Sequence, residues 1–528
     1  MTSTDQDAAT RPATFTVRSP ATGDPVGEHP VHGPQEVARA VERARTAAAG
    51  WAALSAAHRR AHLLRWKRAL ASSLDAVAET IAAETGKPRG DAVLEVILTL
   101  EHLNWAARNA DRVLRGRRVR SGLLAANQRA SVVHRPLGVI GVIGPWNYPL
   151  YTPMGSIGYA LAAGNAVVFK PSEHTPGTGV LLAELLASAV PEHAGLLTTV
   201  TGTGATGEAL AGSDVDKVAF TGSPGTARKV MAVCARSLTP FLAECGGKDA
   251  TIVTADADLD AAADAVVWGA LSNAGQTCAG VERVYAVREV HAPLCRKVVE
   301  RVRALRVGPV PDAVYGPMTM PAQTAVVRRH VEQALASGAR ALLGDATSMS
   351  TSTATSGTSG TSGTSAPSGV SGTSATSGAF VAPVVLADVP EDSPAMTEET
   401  FGPVVAINAV ASVDEAVRRA NASPYALAAS VFCHDRRAGA AIAARLRAGA
   451  VSVNSVLGFA AVPALPFGGS GESGFGRIHG ADGLRAFTAP QSVTVQRFTP
   501  PVNLTSFSTP AAARARAVAA ARWLHRHR

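Results

Sequence analysis

Short apolar runs alternate with helical patterns between residues 136 and 222. Four runs rich in β-branched and apolar residues cover 138–143, 166–170, 197–201 and 217–221, and a helical pattern covers 178–190. Strands that recur every 20 to 30 residues or so, with helices between them, are typical of βαβ units. This half of the chain therefore predicts a buried parallel sheet with helices on both faces, an arrangement able to bind a nucleotide.

A second series of the same kind begins after Gly247. It predicts strands at 250–254, 283–287, 403–409, 427–433 and 450–454, and helices at 259–271, 290–305, 322–336, 412–421 and 436–448. Another α/β domain is the simplest account of this order. The series is interrupted at 350–378, where 24 of 29 residues are Ser, Thr or Gly. Such a segment buries too little apolar area to offset its ordering entropy, so we predict a disordered surface insertion.

The composition is that of a folded protein. Of the 528 residues, 46% are hydrophobic and 17% are charged, and this length allows about three or four domains, or two larger ones. No apolar run reaches the roughly 18 residues that a membrane-spanning helix needs. The first thirty residues carry four acids and no apolar stretch of the kind found in signal peptides. The sequence therefore predicts a cytoplasmic protein without a membrane span.

The net charge of +9 is unevenly distributed. Five arginines lie among residues 511–528, which contain no acid. A basic tail in solvent explains this pattern more simply than a nucleic-acid partner does, and no such partner is predicted. The five cysteines, at positions 234, 245, 278, 295 and 433, are too few and too scattered for a disulfide framework. Because no Cys-x-x-Cys pair occurs, we predict free thiols and no metal site.

Two glycine-rich turns are candidates for binding a phosphate. Residues 202–207 have the form G-x-G-x-x-G after a predicted strand, but the acid expected about 20 residues later is missing. The second turn, Gly222-Ser223-Pro224-Gly225, also follows a strand. Ser223 there can cap a helix and Pro224 can occupy its first turn. The free N–H groups of such a helix would attract a phosphate, and an ordinary capped helix is the alternative.

Six further segments occur in a characteristic order. They are Pro145-Trp146-Asn147-Tyr148-Pro149, Phe169-Lys170-Pro171-Ser172-Glu173, Glu244-Cys245-Gly246-Gly247-Lys248, Gly275-Gln276-Thr277-Cys278, Glu399-Thr400-Phe401-Gly402-Pro403 and Pro466-Phe467-Gly468-Gly469. In this order and spacing the chain resembles the aldehyde dehydrogenase superfamily over residues 15 to 498 or so. The resemblance implies oxidation of an aldehyde to its carboxylate with NAD, or with NADP as the alternative cofactor.

The resemblance and the chemistry of aldehyde oxidation imply a covalent mechanism. The Cys278 thiolate would add to the carbonyl, and the Asn147 amide and the Cys278 N–H would stabilise the oxyanion of the thiohemiacetal. Glu244 would then deprotonate the water that hydrolyses the thioester. The alternative for Cys278 is a small buried apolar residue, which its motif and the paired glutamate disfavour. Cys245, where the family usually has leucine, is interpreted as an apolar filler.

The resemblance also implies contacts with cofactor and substrate. Lys170 and Glu173 would hold the adenosine ribose, Ser223 the pyrophosphate, and Glu399 with Phe401 the nicotinamide half. The full predicted cofactor set is Trp146, Lys170, Ser172, Glu173, Gly222, Ser223, Glu399 and Phe401, and the predicted substrate pocket contains Tyr148, Tyr151, Phe459 and Phe467. The Glu173 carboxylate favours NAD, because the 2′-phosphate of NADP would bring like charge to it. Lys248 and Arg283 are predicted to be structural ion-pair residues.

The fold implied is α/β, with a Rossmann-like cofactor domain and an α/β catalytic domain. The predicted ranges are 1–117 and 136–246 for the cofactor domain, 247–483 for the catalytic domain, 118–135 and 484–498 for a small β bridging element, and 499–528 for a basic tail. The bridging element would add strands to a neighbouring subunit, which implies a homodimer or a homotetramer.

The substrate is less constrained than the reaction. The segment 456–465, where the family places a substrate loop, contains no arginine or lysine. An apolar aliphatic or aromatic aldehyde is therefore favoured, with succinate semialdehyde as the alternative. A CoA-acylating dehydrogenase would lack the glutamate corresponding to Glu244. A non-catalytic relative would be free to lose Cys278, Asn147 or Glu244, and all three are present.

Overall fold

The structure, a computed structural model, describes residues 13–122, 125–308, 310, 312–345, 380–500 and 502–526. The predicted insertion at 350–378 lies outside these residues. The strands are β1 Thr14–Arg18, β2 Pro25–Pro30, β3 Arg117–Val119, β4 Gln128–Pro136, β5 Val139–Ile143, β6 Ala166–Lys170, β7 Leu197–Thr199, β8 Lys217–Thr221, β9 Phe241–Glu244, β10 Asp249–Val253, β11 Val281–Val287, β12 Arg340–Leu343, β13 Val384–Ala387, β14 Val404–Val410, β15 Ala428–Phe432, β16 Ala450–Val453, β17 Gly474–Phe475 and β18 Thr488–Gln496.

The α-helices lie mostly between these strands. They are α1 Pro34–Ala53, α2 Ala56–Ser72, α3 Leu74–Thr85, α4 Arg89–Leu114, α5 Tyr151–Ala162, α6 Pro176–Ala189, α7 Gly204–Ala211, α8 Pro224–Ala235, α9 Leu259–Leu271, α10 Arg288–Arg303, α11 Gln323–Ala336, α12 Pro394–Thr397, α13 Val413–Asn421, α14 Arg436–Ala443, α15 Gly480–Ala486 and α16 Ala511–Arg526. None of the helices in the described ranges is long and apolar enough to cross a membrane.

Two mainly parallel sheets form the larger of two compact units, which comprises Met1–Val113 and Pro136–Phe487. The six-stranded sheet has the order β17-β9-β8-β5-β6-β7, and the seven-stranded sheet has the order β12-β13-β14-β11-β10-β15-β16. In these two sheets only β17 and β12 are antiparallel to their neighbours. The central strands are buried along their whole length, as strands covered on both faces must be. The predicted α/β fold class is confirmed.

Helix packing on the six-stranded sheet follows the hydrophobic spacing. In α1, Val37, Val41, Ala44 and Trp51 share one face and are buried, because residues three, four and seven apart project from the same side of a helix. The Trp51 indole also donates a hydrogen bond of 2.8 Å to the Leu161 carbonyl. This bond satisfies the only polar group of a buried ring and ties α1 to α5.

The second unit comprises Leu114–Arg135 and Thr488–Arg528. It contains the three-stranded sheet β18-β4-β3 and the helix α16. Arg135 donates to Gln491 at 2.8 Å between two of its strands. The residues of the predicted bridging element and of the basic tail thus fall largely within one unit. The division of the larger unit into cofactor and catalytic domains, and the contact of the bridging strands with another subunit, stay predictions.

Candidate active site

Two cavities meet at Cys278 in the larger unit. The large cleft has a volume of about 1230 Å³ and is lined by residues at the carboxyl ends of β5, β6 and β8 and on α8. The inner cavity, of about 240 Å³, is lined mainly by apolar and aromatic residues of α4, α9 and the segment 456–461, with the turn before α5. Glu244, Cys245 and Cys278 line both cavities. These three side chains therefore face a polar space on one side and an apolar space on the other.

The structure places the predicted site residues around these two spaces. The large cleft is lined by Trp146, Asn147, Lys170, Ser172, Glu173, Gly222, Ser223, Glu244, Cys278, Glu399 and Phe401. The inner cavity is lined by Tyr148, Tyr151, Phe459 and Phe467. No predicted site residue lies elsewhere.

A left-handed turn precedes Cys278. Asn273, Ala274 and Gly275 have φ of 53°, 56° and 71°, a conformation that costs free energy for side chains other than glycine. The Asn273 amide offsets this cost by donating to the carbonyls of Gln276, at 3.2 Å, and of Asn147, at 3.1 Å. The turn thus fixes the nucleophile candidate relative to Asn147. Burial raises the pKa of the Cys278 thiol to about 12, and nearby carboxyl groups add to the effect.

Hydrogen bonds hold both the side chain and the backbone carbonyl of Asn147. Its side-chain nitrogen donates to the Gln276 carbonyl at 2.9 Å, and its own carbonyl accepts from the Lys87 ammonium at 2.7 Å. Lys87 also forms a 2.8 Å ion pair with Glu95, and both side chains are fully buried. The other Glu95 oxygen accepts from the N–H groups of Leu150, at 2.8 Å, and Tyr151, at 3.0 Å. A buried ion pair behind the turn therefore fixes the backbone that presents Asn147.

Glu244 ends β9 and is 3% exposed. Neither carboxylate oxygen has a hydrogen-bond partner among the described residues, which is unusual for a buried acid. Burial raises the pKa of Glu244 well above its ordinary value, and Arg477 opposes the shift. The carboxylate has space because Gly468 lies beside it with φ of 148°, and a Cβ there would collide with Oε1. An unpaired buried acid suits proton transfer better than structural support.

The large cleft fits a dinucleotide. Lys170 is buried with its ammonium 3.3 Å from the half-exposed carboxylate of Glu173, so the pair can take up ribose hydroxyls. Ser223 caps α8 by accepting from the Thr226 N–H at 3.3 Å, and Pro224 occupies the first turn, which confirms the predicted cap. The remaining N–H groups of this helix start can face a phosphate. Gly204 and Gly207 of the other glycine-rich turn also line the cleft.

Glu399 lies at the inner end of this cleft. It accepts from the Gly247 N–H at 3.0 Å, and a Cβ on Gly246 would overlap its carboxylate. Burial raises the pKa of Glu399 to about 8, and Glu282 adds to the shift. Glu282 also accepts from the backbone N–H groups of Thr400 and Phe401 and pairs with Lys248, so the predicted ion pair of Lys248 is confirmed. Arg283 instead donates to backbone carbonyls, at 2.9 Å to that of Lys248.

Several lining residues were not predicted. They are Arg228, Lys229, Met320, Gln323 and Tyr425 in the large cleft, and Leu94, Leu98, Trp268 and His479 in the inner cavity. Trp268 lies in a predicted helix whose pattern indicated only packing, and no prediction covered the helix of Leu94, so no local signal distinguished either residue. Glu95 carried a weak signal, because it stands among apolar neighbours in a helix and such an acid is seldom buried unless it is paired, whereas Lys87 lies in the connection between α3 and α4 and carried none.

Comparison with known proteins is consistent with this geometry. The model of the aldehyde dehydrogenase family matches residues 7–359 and 359–493. The chain is 36% identical over 490 residues to 4,4'-diapolycopene aldehyde oxidase of Methylomonas sp, covering 92% of this chain and 86% of that protein. It is 37% identical to a putative succinate-semialdehyde dehydrogenase [NADP(+)] of Mycolicibacterium smegmatis, covering 90% and 87%. The crystal structure of NAD-dependent aldehyde dehydrogenase from Sinorhizobium meliloti superposes with a TM-score of 0.84 at 32% identity, covering 96% and 95%.

Proposed function

The chain belongs to the aldehyde dehydrogenase family and oxidises aldehydes with NAD or NADP, and from this premise we propose that Cys278, Asn147 and Glu244 carry the reaction on an apolar aldehyde. The observation that supports the proposal most is the position of Cys278 and Glu244 at the junction of the two cavities. An aldehyde in the inner cavity and a dinucleotide in the large cleft would meet there.

Cys278 is the nucleophile. Its sulfur adds to the carbonyl carbon, and the carbonyl oxygen becomes an oxyanion that needs hydrogen-bond donors. The Asn147 amide supplies one donor, because the left-handed turn and the Lys87–Glu95 pair fix its position against the nucleophile loop. Because burial and nearby carboxyl groups raise the pKa of the thiol, high pH favours the thiolate that attacks the carbonyl.

Glu244 is the general base for hydrolysis. Loss of hydride from the thiohemiacetal carbon leaves a thioester on Cys278, and a water deprotonated by Glu244 cleaves it to the carboxylate. The free carboxylate oxygens and their burial support this role. Hydrolysis rather than transfer to CoA follows from the presence of this acid.

The large cleft would hold NAD or NADP, which supplies the hydride acceptor when bound. Lys170 and Glu173 would hold its adenosine ribose, the start of α8 its pyrophosphate, and Glu399 with Phe401 its nicotinamide half. We propose that NAD is preferred, because the 2′-phosphate of NADP would approach the Glu173 carboxylate. The same cleft also contains Arg228, Lys229 and Arg236, so NADP remains the alternative, as in the relative named for it.

The inner cavity favours an apolar aldehyde. No lysine or arginine occurs among the described residues that line it, and its acids are Asp91, Glu95 and Glu244. His479 gives no cation either, because burial lowers its pKa well below the ordinary value. A substrate carboxylate, in addition to the reacting aldehyde group, would have no cationic partner there and would be repelled by these acids. Succinate semialdehyde, the substrate in the name of one relative, is the second candidate. The homo-oligomer and the cytoplasmic location stay predictions.

Cys278→Ala tests the mechanism. We expect loss of essentially all aldehyde oxidation, while binding of NAD, followed by quenching of protein fluorescence, stays within about twofold of the parent. Cys245→Ala is the matched control, because this thiol lines the same two cavities and carries no proposed role. Rapid quenching of the parent with aldehyde should trap substrate carbon on Cys278. Substantial turnover by Cys278→Ala would contradict the covalent route.

A further inference from the structure

Exposed apolar side chains surround the outer end of the inner cavity. Leu94 on α4 and Trp268 on α9 both line the cavity, yet they are 43% and 47% exposed. Ile97 is exposed one turn along α4 from Leu94, and Val462 is exposed next to Ala461, which lines the cavity. We call these four residues, Leu94, Ile97, Trp268 and Val462, the apolar rim. Large side chains in water at the mouth of a cavity mark a binding surface more often than a packing accident.

The inner cavity is too small to enclose a long substrate. Its volume of about 240 Å³ lies below the roughly 300–1,000 Å³ typical of pockets that enclose a drug-sized ligand. The reacting carbon is held at the inner end, where Cys278 and Glu244 also face the large cleft. A short aldehyde is therefore enclosed completely. A longer chain must extend outward past Leu94 and Trp268 and lie on the rim.

The lining of the inner cavity is mainly apolar and aromatic. It includes Leu98, Val456, Leu457, Phe459 and Ala461. Of the acids that line the cavity, Glu95 is engaged by Lys87, and burial raises the pKa of Asp91, which opposes its charged form. A hydrocarbon tail meets no unsatisfied charge along this path, whereas a polar tail would lose its hydration without replacement.

We propose that the apolar rim is a subsite for the hydrocarbon tail of the substrate, and that the enzyme acts on long-chain aldehydes rather than on short ones. This inference rests on the proposed function of the inner cavity. Each methylene buried on the path should raise kcat/KM by about fourfold until the chain extends beyond the rim. The preference therefore grows with chain length beyond what the cavity alone can enclose.

The test compares chain lengths in the parent and in Leu94→Ser/Trp268→Ser. Purified full-length enzyme is assayed with NAD and butanal, hexanal, decanal or tetradecanal, all presented from cyclodextrin. In the parent we expect kcat/KM for tetradecanal to exceed that for hexanal at least thirtyfold. In the double variant the ratio of the tetradecanal value to the hexanal value should fall at least tenfold, and a Kd of NAD within twofold of the parent shows that the variant is folded.

Two further variants sharpen the result. Leu94→Met keeps the apolar area and should keep the long-chain preference. Leu238→Ser removes a side chain that is 89% exposed and lines neither cavity, so it should change nothing. A parent without preference for long chains, or a double variant that loses hexanal and tetradecanal equally, would overturn the tail subsite. A parent that prefers succinate semialdehyde to every alkanal would instead overturn the proposed substrate class, and this outcome is distinct because it appears without any substitution.

Discussion

The two cavities that meet at Cys278 are built in opposite ways. The large cleft is wide and lined by charged and polar groups, among them Lys170, Glu173 and Glu399. The volume of the inner cavity is about one fifth of that of the cleft, and its lining is mainly apolar. The turn that carries Asn147 of the cleft and Tyr148 of the inner cavity is held from behind by a buried ion pair, whereas the Lys170–Glu173 pair of the cleft is half open to solvent.

The difference reflects what each space must do. A dinucleotide is recognised by its hydroxyls and phosphates, which loosely placed polar groups can bind through water as well as directly. An aldehyde offers one polar atom, so the donors for that atom must be fixed in advance, because preorganised donors stabilise charge only when they do not have to move. Substitutions in the inner cavity and at the junction should therefore affect the chemical steps, and those in the large cleft away from the junction should affect cofactor selection.

Glu244→Gln gives the largest effect expected here, because it removes the base and leaves the nucleophile. We expect one burst of NADH per active site, followed by steady turnover at least a hundredfold slower than that of the parent.

In the parent, steady turnover should rise with pH. The pKa of Glu244 is raised by burial, so the carboxyl is protonated and inactive as a base at low pH and becomes active as the pH passes its pKa. Stopped-flow absorbance of NADH measures the burst and the steady turnover, at each pH.

Glu84→Gln is the matched control for this prediction. Glu84 is also buried, with its pKa raised to about 7 by desolvation, but it caps α6 through Gly177 and Thr178 and lines neither cavity. It should leave the ratio of burst to steady state unchanged. Full steady turnover by Glu244→Gln would mean that another group activates the water and that the junction of the cavities is not the site of hydrolysis.

Lys87→Met/Glu95→Gln tests whether the buried ion pair fixes the turn that carries Asn147. The pair becomes neutral, and the side-chain amide introduced by Glu95→Gln can still accept from Leu150 and Tyr151, so no unpaired charge is buried. The substitutions remove the ammonium bond to the Asn147 carbonyl, together with the ion pair and the contact of the ammonium with the Tyr148 ring. We expect the rate of the NADH burst to fall about tenfold, because a small displacement of an oxyanion donor is costly. The Kd of NAD should stay within twofold.

Lys297→Met provides the control, because Lys297 forms an exposed ion pair with Asp260 at 2.7 Å and surface pairs contribute little. A burst rate unchanged in the double variant would show that Asn147 holds its position without Lys87. In an Asn147→Ala background the double variant should have no further effect on the burst rate. A persistent tenfold loss there would mean that the pair acts through some other group.

The sequence predicted the polar cleft better than the apolar cavity. Strands such as 166–170 and 217–221 occur at the expected bounds, since buried parallel strands are continuous apolar runs. The cap at Ser223 was predicted because the need for a capping side chain and a proline is local. Each of these features depends on neighbours within a few residues.

The features that were missed depend on distant residues. The Lys87–Glu95 pair contacts the turn at Asn147, some sixty residues away along the chain. Trp268 is a helix residue whose exposure at the cavity mouth depends on packing. The short strands β9 and β13 were not predicted either, because four residues carry too little periodicity. Such features follow from tertiary packing, which a single sequence does not encode locally.

Glu173→Ser gives the smallest effect expected and addresses the large cleft. Burial alone would raise the pKa of Glu173, but the Lys170 ammonium and backbone donors lower it below its ordinary value, so the carboxyl is ionised at neutral pH. Its charge repels the 2′-phosphate of NADP, and Lys170 offsets part of this repulsion. Replacing it with serine should weaken NAD and improve NADP, shifting the ratio of their kcat/KM values by about tenfold, or roughly 1.4 kcal/mol.

Glu208→Ser is the control, because this acid also lines the large cleft but carries no predicted contact with the ribose. The NADH burst rate at saturating NAD should be the same in both variants and in the parent, since neither side chain lines the inner cavity. A parent that prefers NADP, or an unchanged ratio in Glu173→Ser, would remove Glu173 from cofactor selection. A burst rate lowered at saturating NAD would contradict this separation of roles, because a cleft residue away from the junction would then affect the chemical step.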